Sequence, residues 1–272
     1  MKTIAAWKLP LVALGLAVSQ FSLADDKALD AAIASDSRAE ANVARDKFRH
    51  PKETLAFFGV KPDMSVVEIW PGGGWYTEIL GPYLSEKGTL YAGHFPADTE
   101  VGYYTRSLEK FKEKVAADKA SYGSVKVTEF FPKDGRSPAP SGSADMVLTF
   151  RNVHNWMRGS HEQKAFEIFF DALKPGGVLG VVEHRAKPGT SLDGMIKSGY
   201  VTEQHVIDMA TKAGFVLEEK SEVNANAKDS ADHPKGVWTL PPRLALDDQD
   251  RDKYVAIGES DRMTLKFRKP AK

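Results

Sequence analysis

Apolar residues along this chain follow two periods, and the elements begin and end where one period gives way to the other. From residue 65 onward, short near-continuous apolar runs alternate with stretches whose apolar positions fall three to four residues apart. SVVEIW (65–70), GTLYAGHF (88–95), SVKVTEFF (124–131), ADMVLTF (144–150), VLGVVEHR (178–185) and FVLEEKSEV (215–223) predict six strands. Between them, 75–84, 100–120, 160–173 and 202–214 have helical spacing. Ser160 and Thr202 stand at expected N-caps, and Gly214 at an expected stop. KPGG (174–177) reads as a turn into the fifth strand. RMTLKFRK (262–269) alternates strictly and predicts one last strand. Strands that alternate with helices argue for an α/β fold, with a mostly parallel sheet covered on both faces.

Residues 25–58 are expected to form helices ahead of this core, with Leu29, Ile33, Val43 and Phe48 at helical spacing. His50–Pro51 should break them, and KETLAFFGV (52–60) reads as a short amphipathic helix ending at Gly59. The sheet-forming domain runs over 59–272. Within it, the polar and irregular stretch 224–262, with His233, Trp238 and Arg243, is expected to form a lid.

Residues 1–24 follow a different grammar. Lys2 and Lys8, an apolar run around 9–18 and Ser22-Leu23-Ala24 predict a cleavable secretory signal peptide, and hence a periplasmic protein if the source is Gram-negative. The run is too short for a membrane span, so no stable insertion is expected after cleavage. The 37 basic residues match the 37 acidic ones, which gives no field to recruit nucleic acid. The absence of cysteine excludes disulfides, thiolate nucleophiles, thiolate zinc sites and a lipoprotein anchor. No metal is expected, because the histidines lack ligand spacing; His154 and His161 are seven apart.

The chemistry begins in VVEIWPGGGWYTEIL (66–80). A strand, a glycine turn and a helix let backbone N–H groups approach a ligand at the carboxyl edge of a sheet. Gly72 and Gly74 supply two glycines of the dinucleotide pattern G-x-G-x-x-G, but Thr77 stands in the third place. The phosphate-loop pattern is absent.

The stretch Glu68-Ile69-Trp70-Pro71-Gly72-Gly73-Gly74 resembles motif I of the class I S-adenosylmethionine-dependent methyltransferases, E/D-x-G-x-G-x-G, with Trp70 in place of the first glycine. ADMVLTFRNVHNW and ALKPGGVLGVVEHR resemble that family's fourth and fifth strand regions. The WPGGGWYTEIL form, with RDKFRHPKETLAFFGVKPDM upstream, resembles an exported bacterial group of such proteins. The resemblance implies a Rossmann-like seven-stranded sheet whose last strand is antiparallel. It implies S-adenosyl-L-methionine as cofactor and methyl transfer to a small molecule, at oxygen if RNVHNWM follows the small-molecule O-methyltransferases.

Site residues follow from the same resemblance. Gly72, Gly73 and Gly74 would pass the cofactor's methionine portion and Glu68 would orient it; the competing reading has Glu68 tying down its own loop. His94, with Asp98 as substitute, stands where the family has its ribose-binding acid. Asp134 would meet the adenine, or be a turn aspartate. Arg151 and Asn152 would line the pocket. His154 would be the general base, or a loop histidine packed under Trp156. His184 and Arg185, at the end of strand five, are candidates for an anionic substrate. Trp75 and Tyr76 are substrate-wall candidates from an aromatic group that includes Trp70, Tyr103 and Tyr104. Two other classes stand beside the enzyme: an exported ligand-binding protein that kept the fold, and a hydrolase, for which no G-x-S-x-G is present.

Overall fold

The computed structural model describes residues 23–271. The expected signal peptide, residues 1–24, therefore lies almost wholly outside the described residues. Four helices precede the sheet: α1 (Leu23–Ile33), α2 (Glu40–Val43), α3 (Asp46–Arg49) and α4 (Pro51–Phe58). His50 turns left-handed (φ 42°) between α3 and α4. Pro51 occupies the first turn of α4, where its missing N–H leaves no bond unmade, and Gly59 (φ 80°) closes the helix.

The alternating part follows as β1 (Ser65–Ile69), α5 (Thr77–Leu84), β2 (Thr89–His94), α6 (Gly102–Ala117), α7 (Lys119–Tyr122), β3 (Val125–Glu129), β4 (Ala144–Phe150), α8 (Val153–Met157) and α9 (Glu162–Ala172). Then come β5 (Leu173–His184), α10 (Leu192–Ser198), α11 (Glu203–Ala213), β6 (Val216–Ser221), α12 (Arg251–Ile257) and β7 (Arg262–Arg268). The seven strands lie in the order β3-β2-β1-β4-β5-β7-β6. β7 runs antiparallel to β5 and β6, and the other pairs are parallel. This is the expected Rossmann-like, mostly parallel sheet with an antiparallel last strand. Strand order reverses between β1 and β4, which opens a crevice at their carboxyl ends.

Both faces of the central strands β1, β4 and β5 are buried, while the edge strands β3 and β6 are more exposed, and successive residues serve opposite faces. Val67, Ile69, Val147, Leu179 and Val181 belong to one core layer; Val66, Met146, Leu148, Val178 and Val182 belong to the other. Each such side chain contributes about 1.5–3 kcal/mol through burial. The N-terminal helices join the second layer through Leu29, Ala32, Leu55 and Phe58. Gly180 shows how closely they pack: a Cβ there would lie 2.8 Å from Phe58 Cδ1 and 2.6 Å from Leu148 Cδ2. Among the described residues no helix is long and apolar enough to cross a membrane.

Some local expectations are corrected. KPGG is carried inside β5, with Gly176 left-handed (φ 79°), because Leu173 already pairs with Ala144 before the register shifts. Ser160 does not cap α9: it is left-handed (φ 55°), and His161 takes the cap position without a side-chain bond. The loop after β4 coils into α8, and α10 forms behind the Ser191 cap, whose Oγ accepts from Gly194 N–H at 3.2 Å. Thr202 and Gly214 act as expected at the two ends of α11.

Candidate active site

A cleft of about 740 Å³ opens at the β1/β4 reversal, and the glycine turn forms one wall. Gly72 (φ 59°) and Gly74 (φ 81°) are left-handed. A Cβ added at Gly72 or Gly73 would meet no heavy atom within 4 Å. Their missing side chains therefore leave open space against bare backbone. Gly74 is different, with Phe111 Cε2 3.2 Å from where its Cβ would be; it shapes the turn and does not line the cleft. Lys114 on α6 braces the turn from outside, donating to Gly73 O at 2.9 Å and pairing with Glu78.

Glu68 lies under the turn at the end of β1, buried, and accepts from Thr77 Oγ1 at 2.6 Å. Burial pushes its carboxyl up to about 7, against the Thr77 bond and the charge of Lys114. Glu68 thus ties β1 to α5 and also lines the cleft; the two readings of this residue are compatible. Thr77, the residue that departs from the dinucleotide pattern, is what makes this tie.

Trp70 has the left-handed φ (44°) that a glycine in its place would adopt without strain. Its indole N–H donates to Phe130 O at 2.9 Å. Its ring packs among Phe95, Tyr104, Phe130 and Trp156 at centroid distances of 4.7, 6.0, 5.9 and 5.8 Å. Trp75 and Tyr76 line the cleft but are mostly core. Tyr76 stacks on Phe150 at 3.5 Å, and the Trp75 indole donates to Asn42 O at 2.9 Å.

Further titratable groups reach the cleft from the ends of β4 and β5. Arg151 follows β4 in a left-handed conformation (φ 63°), and its N–H donates to Val182 O at 2.7 Å. The Asn152 amide donates to Ile69 O at 2.8 Å, clamping β1 to β4 beside the cleft. His154, on α8, gives Nδ1 to Glu183 Oε1 at 3.0 Å, which leaves Nε2 without a partner among the described residues, on a ring that lines the cleft. Glu183 is fully buried and is fixed by two further donors, the N–H groups of His184 (2.8 Å) and His154 (3.3 Å). A carboxylate held in this way fixes the tautomer of its histidine. The His184 ring lies 5.3 Å from that of His154 and bonds Ser260 Oγ through Nδ1. Burial first, and then the neighbouring His154 ring and the guanidinium groups of Arg151, Arg262 and Arg49, hold His184 well below the usual histidine range. His154, Glu183 and His184 also form a group of possible metal-ligand atoms, within 4.8 Å of one another, that sequence spacing did not reveal. The three hydrogen bonds already on Glu183 suit orientation of an imidazole.

Besides Gly74, three predicted site residues lie off the cleft. His94 is fully buried under the turn; its Nδ1 accepts from Phe95 N–H at 2.8 Å and its Nε2 faces Gly72 O at 3.4 Å. Burial lowers it to about 4, so it is a neutral strut, not a ribose acceptor. Its proposed substitute, Asp98, is exposed and paired with Arg136 at 2.6 Å. Asp134 is a turn aspartate that also pairs with Arg136, at 3.0 Å. Arg185 is enclosed by Asp261 (2.8 Å), Glu203 (3.1 Å) and Glu222 (2.7 Å), which leaves it nothing for a substrate.

The site also holds residues that the sequence patterns did not single out. Arg45 and Arg49 reach the cleft from the N-terminal helices, and Glu259 from beyond α12. Of the expected lid, Trp238 and Arg243, which the sequence did single out, line the same cleft together with Val237, Leu240 and Pro241. Its flanks are anchored: Asn224 donates to Thr54 and Thr264, both at 3.0 Å, and Asp229 accepts from Tyr200 Oη at 2.9 Å.

No protein-family model matches the chain, and no curated protein matches its sequence. Solved structures do match its fold. A SAM (S-adenosylmethionine)-dependent methyltransferase from Aquifex aeolicus aligns with TM-score 0.55 at 19% identity, over 92% of this chain and 100% of that one. The arsenic(III) S-adenosylmethionine methyltransferase CrArsM from Chlamydomonas reinhardtii aligns at 0.53 and 15%, over 89% and 73%. The [4+2]-cyclase SpnF aligns at 0.56 and 16%, over 88% and 86%. The chain thus has the Rossmann-like fold found in SAM-dependent methyltransferases.

Proposed function

We propose that this protein is an S-adenosylmethionine-dependent methyltransferase acting on a hydroxyl of a small molecule, exported by cleavage after Ala24. The observation that carries the reading is the pairing of a bare glycine edge with a carboxylate-backed histidine across one cleft. Fold alone does not decide the chemistry, as a cyclase among the similar structures illustrates.

The residues fit the cofactor. The Gly72–Gly73 edge admits a ligand chain against the backbone, Glu68 offers a buried carboxylate to an ammonium group, and Trp70, Phe95 and Tyr104 offer ring faces. When bound, S-adenosylmethionine supplies an electrophilic methyl group next to a sulfonium. The protein's own work is position, exclusion of water and handling of one proton. His154 accepts the acceptor's hydroxyl proton at Nε2, because the Glu183 contact keeps the other proton on Nδ1. Glu183 then faces the imidazolium that forms and stabilises it. Trp75, Tyr76 and His184 wall the acceptor, and the 237–241 segment covers it.

Calorimetric titration with S-adenosylmethionine and S-adenosylhomocysteine tests this. Binding at about micromolar strength, lost in a folded Gly73→Arg variant, is the expected result. A folded protein that binds neither would sink the reading. The N-terminal mass of the exported protein checks the leader; any start other than Asp25 overturns the proposed cleavage.

Trp70 favours a second reading, a ligand-binding protein without transfer. Its ring fills space beside the cleft that a glycine would leave open. Trp70→Gly separates the two: if the ring blocks the cofactor, the variant binds S-adenosylhomocysteine more tightly than the parent. Equal or weaker binding removes the ground for this reading.

A further inference from the structure

The polar end of the cleft carries more positive charge than its own carboxylate can neutralise. Arg45, Arg49 and Arg262 share Glu259. Arg45 Nε lies 2.6 Å from Oε1, and Arg49 Nε and Arg262 Nη1 each lie 3.2 Å from Oε2. The other Arg262 nitrogens donate to the backbone oxygens of Ser260 and Phe48. Arg45 and Arg49 are left differently: Nη2 of each is buried with no hydrogen-bond partner among the described residues, and Arg49 is only 2% exposed. Arg151 adds a guanidinium whose side chain has no hydrogen bond or ion pair among the described residues. Burial, then the positive neighbours Arg262 and Arg45, lower it to about 10 against the pull of Glu259, so it stays charged at neutral pH. Arg45, Arg49 and Arg151 all line the cleft, as do His154 and His184.

An unpartnered buried guanidinium nitrogen is costly, since burial removes water without supplying an acceptor. Two such nitrogens, on Arg45 and Arg49, and the half-buried Arg151 beside them complete their bonding when an anion enters the cavity. Guanidinium forks match carboxylate and phosphate oxygens in pairs. The side chains of Trp75, Tyr76 and Trp238 line the same cleft, with Arg49 over the Trp75 ring at 4.7 Å, and give the rest of a ligand an apolar wall.

We propose that the acceptor is an anion, a small molecule whose carboxylate or phosphate seats on Arg45, Arg49 and Arg151 while its hydroxyl faces His154. The word acceptor rests on the methyltransferase reading; the anion seat does not. Arg185, which position along the sequence alone suggests for this task, is replaced by arginines that the fold gathers from the N-terminal helices and the end of β4.

The test titrates the whole protein with inorganic phosphate, 4-hydroxybenzoate and the neutral methyl ester of 4-hydroxybenzoate, following both heat and melting temperature. At least one anion raises the melting temperature, and the ester does not. Whichever anion binds names the group. Arg151→Gln weakens that binding about tenfold or more, and the ligand-free protein stays folded, because the side chain gives up no hydrogen bond or ion pair, only its longer-range pull on Glu259. Arg49→Gln is less decisive, since it also breaks the Glu259 pair. No shift with either anion, or the same affinity in Arg151→Gln, overturns the proposal. A third arm adds the anion to protein saturated with S-adenosylhomocysteine. Mutual exclusion assigns the arginines to the cofactor's own carboxylate and overturns the acceptor seat; simultaneous binding supports it. Arg151-dependent anion binding in a protein that ignores S-adenosylhomocysteine keeps the anion site and removes the methyltransferase reading.

Discussion

Glu68 and Glu259 are both buried carboxylates on the cleft, and their surroundings drive them in opposite directions. Glu68 has one hydroxyl donor and the charge of Lys114, so burial wins and raises it from 4.5 to about 7. Its folded form holds a proton that the unfolded chain has released between those values, so its contribution to stability is present below 4.5 and lost as pH rises through about 7. Glu68→Gln removes this slope; relative to the parent it gains on the order of 3 kcal/mol between those limits, read from urea unfolding at stepped pH. Parallel curves would show that Glu68 is ionised in the folded protein. The His154–Glu183 pair makes a different claim. With an acceptor in hand, His154→Gln lowers kcat about 10²–10⁴-fold. Glu183→Gln lowers kcat with KM unchanged, because it touches the ring and not the ligand. A rise in KM alone in both variants would make the pair a binding element and not a base.

At the scale of the element, the glycine turn separates shape from access. Gly73 has an ordinary φ and open space where its Cβ would be, so Gly73→Ala folds with stability within about 0.5 kcal/mol of the parent and binds cofactor more weakly. Gly74→Ala forces a side chain into φ 81° against Phe111 and costs about 1–2 kcal/mol. Equal stability losses would mean that the turn is not held as described. The strands and long helices were legible because period 2 and period 3.6 are set by which face is buried, as at Val66 and Val67. The glycine turn was legible because its left-handed positions need glycine. α8 and α10 were not: helices of 5 and 7 residues are stabilised by what they pack on, not by their own pattern. Glu183 was hidden inside a strand read as apolar. Arg45 and Arg49, four apart on a charged stretch, have the spacing of a solvated helix face; only the tertiary fold turns them inward.

Over the whole molecule, Glu259 joins the two ends of the chain. Arg45 and Arg49 come from the N-terminal helices, and Glu259 and Arg262 flank the start of the last strand. Burial alone would raise the Glu259 carboxyl, but Arg49, Arg262, Arg151 and Arg45 outweigh it and hold it at about 2. A depressed pKa stabilises the fold above the unfolded value of 4.5 and loses that contribution as pH falls toward 2, on the order of 3 kcal/mol in total. Acid therefore loosens the N-terminal helices from the sheet at the same point that it discharges the floor of the cleft. Glu259→Gln should reproduce the loss at neutral pH, at a total cost of about 3–5 kcal/mol, because three guanidinium groups keep their charge without a counter-ion. Phosphate added to that variant should recover part of the loss by supplying the missing charge, and should do so less well when Arg151 is also replaced. Chemical unfolding of parent, Glu259→Gln and the double variant, with and without phosphate, measures all three terms. If Glu259→Gln unfolds like the parent, the carboxylate is not what holds the arginines, and the charge in the cleft must be balanced from solvent.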